Sequence, residues 1–413
     1  MPTTIARTDG RALSPRDGAG DIRAPQRRTR TLATIGVNHA LHDGYTDLIY
    51  VLLPVWQAEF GLGYVALALL RSLYVGALAG LQMPATALAR VLGARIVLVL
   101  GTLLGAGGYA LAGTSGGLVG LCVALVLSGA GSSTQHPLAS AVIARTYGTG
   151  ARGPLGTYNF AGDLGKAALP ALAGLLLTHA DWRFVLWLAA GLGGVVAFGV
   201  ATLLPREPLP REEPPARAQA VAPGGPSTGR SGFGLLVAVG MLDNAARPAF
   251  LVYLPFLLQE KGAALTTVGV AFGLAAVGGA LGKAVFGRLG ERFGVTRCVI
   301  LSEMGTAVAI LLVIALPLAP ALAVLPLLGV MLNGTSSVLY GTVPELAPHG
   351  RVERAFAVFY TWTLGGSALA TPLLYGPLGD VLGPKGAAVA AAATALAVVP
   401  IMLRLSPHLA RAR

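Results

Sequence analysis

The sequence predicts an all-α membrane protein of twelve transmembrane helices in two six-helix halves, and three observations predict it. The 413 residues are 54% hydrophobic and only 12% charged, with a mean hydropathy of +0.69. A water-soluble chain of this length needs far more charge to cover its surface. Apolar runs of about 20 residues, the length that crosses a bilayer as helix, recur along the chain. The second half of the series also repeats landmarks of the first.

The first thirty residues are rich in Arg, Pro and Gly and lack the apolar core of a secretory signal. They read as a disordered cytoplasmic tail over 1–31. Spans then follow near 33–57, 64–87, 95–113, 118–145, 154–178 and 183–204, which define a first bundle over 32–204. Residues 205–231, with PREPLPREEPP and GGPSTG, form a linker that cannot pack a core. Six more spans follow near 232–258, 265–287, 297–316, 321–343, 353–377 and 384–404. They make a second bundle over 232–405, ahead of a short tail at 406–413.

Orientation follows from arginine. Arg27, Arg28, Arg30, Arg90, Arg95, Arg145, Arg152, Arg288, Arg292, Arg297, Arg351, Arg354 and the Arg404–Arg413 tail all fall on one side of the spans. Positive charge marks cytoplasmic loops, so both termini are expected in the cytoplasm. The same distribution accounts for the net charge of +12 without nucleic acid, because the basic residues are spread over short loops rather than gathered into a patch. Cys122 and Cys298 lie in or beside apolar runs and offer neither a disulfide framework nor a CxxC site. No P-loop, HExxH or GxSxG is present, which leaves ATP drive and enzymatic catalysis without support, and no cofactor is implied.

The stretch that carries the functional reading is Asn38–Phe60. It is apolar enough to span, yet it holds His39, His42, Asp43 and Asp47. An Asp at the membrane centre costs roughly 2.5–3.5 kcal/mol on insertion scales, so such residues normally face a watery cavity or a partner. At about 1.5 Å per residue, Asp43, Asp163 and Asp243 lie close to the midplane. Asp47 and Arg71 come out level with each other nearer the outer face, which makes them candidates to pair.

Asp43 is the leading proton carrier, because desolvation penalises an ionised carboxylate, with His42 and His39 as companions since imidazole titrates near neutral pH. Asp163 and Lys166 are three apart on one helix face. They are either a structural ion pair or a carboxylate whose proton depends on whether solute displaces Lys166. Asp243, Asn244 and Arg247 form a similar group, in which Arg247 suits an anionic group. His136 is either a solute contact or a satisfied histidine beside the kink that Pro137 introduces. Lys283 and Glu303 read as structural residues of the cytoplasmic half. Of these, Asp43, His42 and Asp163 are assigned to proton coupling. His39, Asp47, Arg71, His136, Lys166, Asp243, Asn244 and Arg247 are assigned to solute binding. His39, His42, Asp43 and Asp47 match no recognised metal motif, so no metal site is assigned and metal export stands as a minor alternative.

Asp43 and Leu53-Pro54 are echoed about 200 residues on by Asp243 and Leu254-Pro255, and Leu164-Gly165 by Leu364-Gly365. Gly287–Arg297, GRLGERFGVTR, resembles the loop signature of the major facilitator superfamily, with Glu291 in its acidic position. That resemblance implies two parallel six-helix halves with solute bound between them. It also implies a cytoplasmic gate at Glu291 and Arg292. The matching first-half loop, Leu88–Arg95, is degenerate, with Arg90 where an acid is expected.

Gly129–Ser140, GAGSSTQHPLAS, is similar to the fosmidomycin-resistance branch, as are His39, His42-Asp43, Gln57-x-Glu59-Phe60, Leu81-Gln82 and Pro344–Leu346. This resemblance implies a bacterial inner-membrane monomer that exports small organic molecules, including antibiotics, in exchange for protons. Asp163, Lys166 and Arg71 depart from the branch. They favour the alternative of proton-coupled uptake of a small organic anion. A receptor or scaffold that transports nothing is the rival from another class.

Overall fold

The computed structural model describes residues 24–205, 229–348 and 352–412, and these are helical nearly throughout. Fourteen helices follow one another: α1 (Ala24–Phe60), α2 (Tyr64–Gly80), α3 (Gln82–Leu92), α4 (Ala94–Thr114), α5 (Leu118–Ser132), α6 (Gln135–Tyr147), α7 (Arg152–Leu176) and α8 (Trp182–Leu203) in the first half. The second half holds α9 (Gly229–Glu260), α10 (Leu265–Phe293), α11 (Val295–Ala315), α12 (Leu318–Thr342), α13 (Val352–Ala370) and α14 (Gly376–Ala412).

Among the described residues, eight helical stretches are long and apolar enough to cross a membrane, or nine when the bent pair α2–α3 is one span. The two remaining long helices, α1 and α7, carry the polar side chains of the central cavity. The stretch Val358–Leu409 breaks at Gly383, whose φ of +71° suits only glycine, and so holds two spans. The twelve expected spans are thereby accounted for.

Three spans are interrupted. α2 and α3 meet at 44° at Leu81. α5 and α6 divide at Ser133–Thr134, because Pro137 has no N–H to donate to the turn before it. α13 passes into α14 through a π turn at Thr371–Tyr375, with Pro372 near its start.

The expected boundaries move at both ends. The tail expected over 1–31 is helical from Ala24 onward. Pro25 fits a first helical turn, and Thr29 and Thr34 donate to the carbonyls of Pro25 and Arg30. Residues 1–23 lie outside the described ones, as do 206–228 of the expected linker; α9 already begins at Gly229. The tail expected at 406–413 continues α14 to Ala412.

Helices α4, α8, α11 and α14 turn bulky apolar side chains outward, among them Leu103, Trp187, Phe198, Val308 and Leu403. This is the surface a bilayer solvates. The polar side chains face inward. Where helices cross inside, glycines bring backbones together. A Cβ on Gly165 would overlap the Ala40 carbonyl, and one on Gly44 would stand 2.8 Å from the Gly165 carbonyl, so α1 and α7 pack at backbone distance.

One apolar core runs through the first half and crosses into the second through Phe250, Tyr253, Phe256 and Phe272. A separate core, with Phe233, Phe286, Phe359 and Met402, fills the second half near the face that carries the termini. The halves therefore join on the distal face, opposite the termini. There Tyr64 packs on Tyr253 and Phe256, and Gly174 of α7 lies against Leu265 and Gly269 of α10.

Candidate functional site

Between the halves lies a cavity of about 280 Å³. Its first-half wall includes Asp43, Asp47, Tyr50, Arg71, His136, Asp163 and Lys166. Its second-half wall includes Asn244, Arg247, Phe272 and Asn333. Eight of the eleven residues assigned to proton or solute sites from sequence therefore line one cavity. His39 and Asp243 stand behind this wall, and His42 lies farther from it.

The charges pair differently from their spacing on single helices. Lys166 Nζ lies 2.9 Å from Asp43 Oδ2, and Asp163 Oδ1 accepts from Lys283 Nζ at 2.6 Å. The pair expected between Asp163 and Lys166 thus opens into two pairs with other helices. The cause is the glycine contact of α1 with α7. It brings Asp43 within reach of Lys166 and leaves Asp163 turned to α10. Lys283, expected to be structural, joins the two halves at mid-membrane. Its depth was the available signal: ten residues from the end of α10 put it roughly 15 Å inside, too deep for a lysine merely to snorkel out.

Asp43 also faces His39 Nε2 at 3.4 Å and His136 Nε2 at 3.6 Å. His39 Nδ1 donates to the Tyr158 carbonyl at 2.8 Å, and its ring stacks on Tyr158 with centroids 3.9 Å apart. Gly162 makes room, since a Cβ there would come within 2.6 Å of Asp43 Oδ2 and of His39 Cε1.

His42 points away from the cavity. Its Nδ1 meets Ser132 Oγ at 2.9 Å and its Nε2 meets Thr102 Oγ1 at 3.1 Å. Tyr74 shares Ser132, and Asn38 links Thr102 to Gln135. Both ring nitrogens are committed to a buried network that ties α1, α2, α4 and α5.

Asp47 and Arg71 line the same cavity, but the Arg71 guanidinium sits over the Tyr50 ring at 4.8 Å instead of in an ion pair with Asp47. Arg71 is buried, and its Nε and Nη1 have no hydrogen-bond partner. In the second half, Arg247 donates through Nε and Nη2 to the Leu332 carbonyl at 3.1 and 2.8 Å, and to Ser336 at 3.2 Å. Asp243 is buried within hydrogen-bonding reach of Glu303, which accepts from Thr335 at 2.6 Å. Of the expected gate, the Glu291 side chain lies outside the described residues, and Arg292 stacks on Phe293 at 5.4 Å.

On the distal face, Asp380 accepts from the backbone N–H groups of Tyr64 at 2.6 Å and Val65 at 3.4 Å. This cross-half contact was invisible in sequence, where Asp380 reads as an ordinary loop acid.

Comparison with known proteins places this arrangement. The family model of the Major Facilitator Superfamily matches residues 36–242 and 233–412. No curated protein matches. The fold is similar to an inward-facing, unoccupied bacterial homologue of the human lysosomal transporter Spinster, with a TM-score of 0.76 at 15% identity over 94% of this chain and 98% of that one. It is similar to the peptide transporter POT in complex with sulfate, with a TM-score of 0.75 at 15% identity over 93% and 95%. The nucleoside transporter NupG gives a TM-score of 0.74 at 11% identity over 92% and 99%. At these identities the likeness speaks for the fold.

Proposed function

The chain belongs to the Major Facilitator Superfamily, and from that premise we propose that it is a secondary transporter that moves a small organic anion together with protons by alternating access. The observation that carries this reading is the Asp163–Lys283 pair, which joins the two halves beside the cavity. Rocking the halves must break or rebuild it. A solute carboxylate, phosphonate or phosphate that takes Lys283 leaves Asp163 as an unpaired carboxylate inside the membrane, a costly state that a proton relieves. Anion and proton then load as one event. Arg71, with two unpartnered guanidinium nitrogens, and Arg247 add positive charge to the same space.

A second reading is export of a small molecule in exchange for protons, favoured by the likeness of Gly129–Ser140 to the fosmidomycin-resistance branch. The charge logic then inverts. A cationic group on the solute replaces Lys283 at Asp163, and proton and solute exclude one another. In both readings we place the chain in the bacterial inner membrane as a monomer with both termini cytoplasmic, from the arginine distribution and the same likeness.

The test is purified protein in liposomes that enclose a pH-sensitive dye. A panel of carboxylates, phosphonates and organic cations is added outside. Acidification of the lumen by an anion, lost in Asp163→Asn and in Lys283→Met, supports co-transport. Alkalinisation by a cation or neutral drug makes the exporter reading correct. Binding without proton movement, for every compound, would favour the receptor class.

A further inference from the structure

We infer that His39, Asp43 and His136 form a binding site for a divalent transition-metal ion of the zinc, cobalt or nickel class on the cavity wall. The inference does not depend on which solute the cavity carries.

One ligand atom from each residue can be chosen so that all three lie within 4.8 Å of one another. His39 and Asp43 come from successive turns of α1, and His136 comes from α6, so no single-helix motif announces the set. Asp43 oxygens stand 3.4 Å from His39 Nε2 and 3.6 Å from His136 Nε2. Metal–nitrogen and metal–oxygen bonds of about 2.1 Å in a tetrahedron set ligands about 3.4 Å apart. The two distances from Asp43 are those of a coordination shell, and the widest pair of the three, within 4.8 Å, closes on an ion when the exposed His136 ring turns inward.

The state of His39 points to an ion independently. A carbonyl oxygen only accepts, so His39 Nδ1, 2.8 Å from the Tyr158 carbonyl, carries hydrogen. In its neutral form the ring presents a lone pair at Nε2, which is buried and faces the Asp43 carboxylate at 3.4 Å, too far for a good hydrogen bond. Two electron-rich atoms facing one another call for a cation, which Lys166 supplies to the Asp43 oxygen alone and a metal ion would supply to both. A backbone carbonyl behind a ligating imidazole is also the usual outer support of metal-bound histidine. Stacking on Tyr158 and the gap at Gly162 fix the ring in place.

His136 is 45% exposed, so the fourth coordination position opens on the cavity. Two imidazoles and one carboxylate suit zinc, cobalt and nickel rather than magnesium or calcium. Lys166 lies 2.9 Å from the same Asp43 oxygen. Ammonium and metal are therefore alternative occupants, and metal entry releases Lys166 into the cavity.

The experiment is titration of Co²⁺ into purified, untagged, metal-stripped full-length protein, followed by visible absorption, with Zn²⁺ competition measured by calorimetry. One Co²⁺ per chain with a tetrahedral spectrum is expected. His39→Gln and His136→Asn should each weaken binding roughly tenfold or more. Lys166→Met should strengthen it at least about tenfold, because an ammonium next to the ion opposes it. His136→Asn faces the cavity and keeps the fold intact, as an unchanged gel-filtration profile verifies. Absence of binding, binding that survives both histidine changes, or no gain in Lys166→Met would each overturn the assignment.

Discussion

The carboxylate of Asp380 accepts the backbone N–H of Tyr64 at 2.6 Å, so a residue of the second half caps the first turn of α2 in the first half. The opening N–H groups of a helix have no partner within it, and a negative charge there is favoured by the helix dipole. The cap closes only while the halves touch on the distal face. Gly63 and Gly376 keep the approach open: a Cβ at 63 would lie 3.0 Å from Asp380 Oδ1, and one at 376 would lie 2.8 Å from the Val65 Cα.

Asp380→Ala is therefore expected to loosen the distal closure. A cap of this kind is worth about 0.5–2 kcal/mol, which shifts the balance of states several-fold. The check is a cysteine at the cavity residue Ser72, placed in a chain whose two native cysteines are replaced. Labelling by an impermeant maleimide from the distal side should rise in the Asp380→Ala background. Unchanged labelling would remove the latch role.

Gly165→Val should destabilise the whole first half. A side chain there collides with the Ala40 backbone and pushes α1 from α7. Overpacking of this kind costs about 1–3 kcal/mol, read as a lower melting temperature in detergent. Gly76→Ala is the control. A Cβ at 76 meets nothing within 4 Å, and Ala favours helix, so melting should hold or rise.

His42→Phe should lower stability by about 1–3 kcal/mol, because it leaves buried hydroxyls of Ser132 and Thr102 short of a partner. The loss should appear in thermal unfolding and not in the Co²⁺ titration.

Arg247→Lys keeps the charge but loses the fork on the Leu332 carbonyl. Hydrogen bonds to a charged donor are worth about 1.5–3 kcal/mol. The expected outcome is a lower melting temperature, because the lost bonds are internal to the protein, together with weaker binding of the anionic solute that wild type carries. Direct binding measurements on the variant decide it.

Much of the fold was legible because it is written in runs of apolar residues, and the spans fall where those runs lie. That Asp43 and Asp163 stand level with one another was legible too, since rise per residue is constant. Rotation was not. Whether Lys166 turns to Asp163 on its own helix or to Asp43 on another depends on how α1 settles into the groove left by Gly162 and Gly165, and no single-helix pattern contains that. The same gap hid the role of Lys283 and the third member of the His39–Asp43 pair. Asp380 was hidden differently, since a backbone N–H leaves no mark on the sequence of the helix it belongs to.

The seam between α7 and α10 has one more consequence. Gly174, Gly269 and Gly273 place bare backbone against bare backbone there, with Pro170 and Ala167 opposite. At these glycines no side chain has to change rotamer for the two helices to roll on one another, so this end of the seam serves as a bearing about which the halves can tilt while the Asp163–Lys283 pair breaks or rebuilds farther along. Any residue larger than glycine at 174 or 269 would act as a doorstop wedged in a hinge. It would hold the distal side ajar without changing any charged side chain of the cavity, and so would test the mechanics of transport apart from its chemistry.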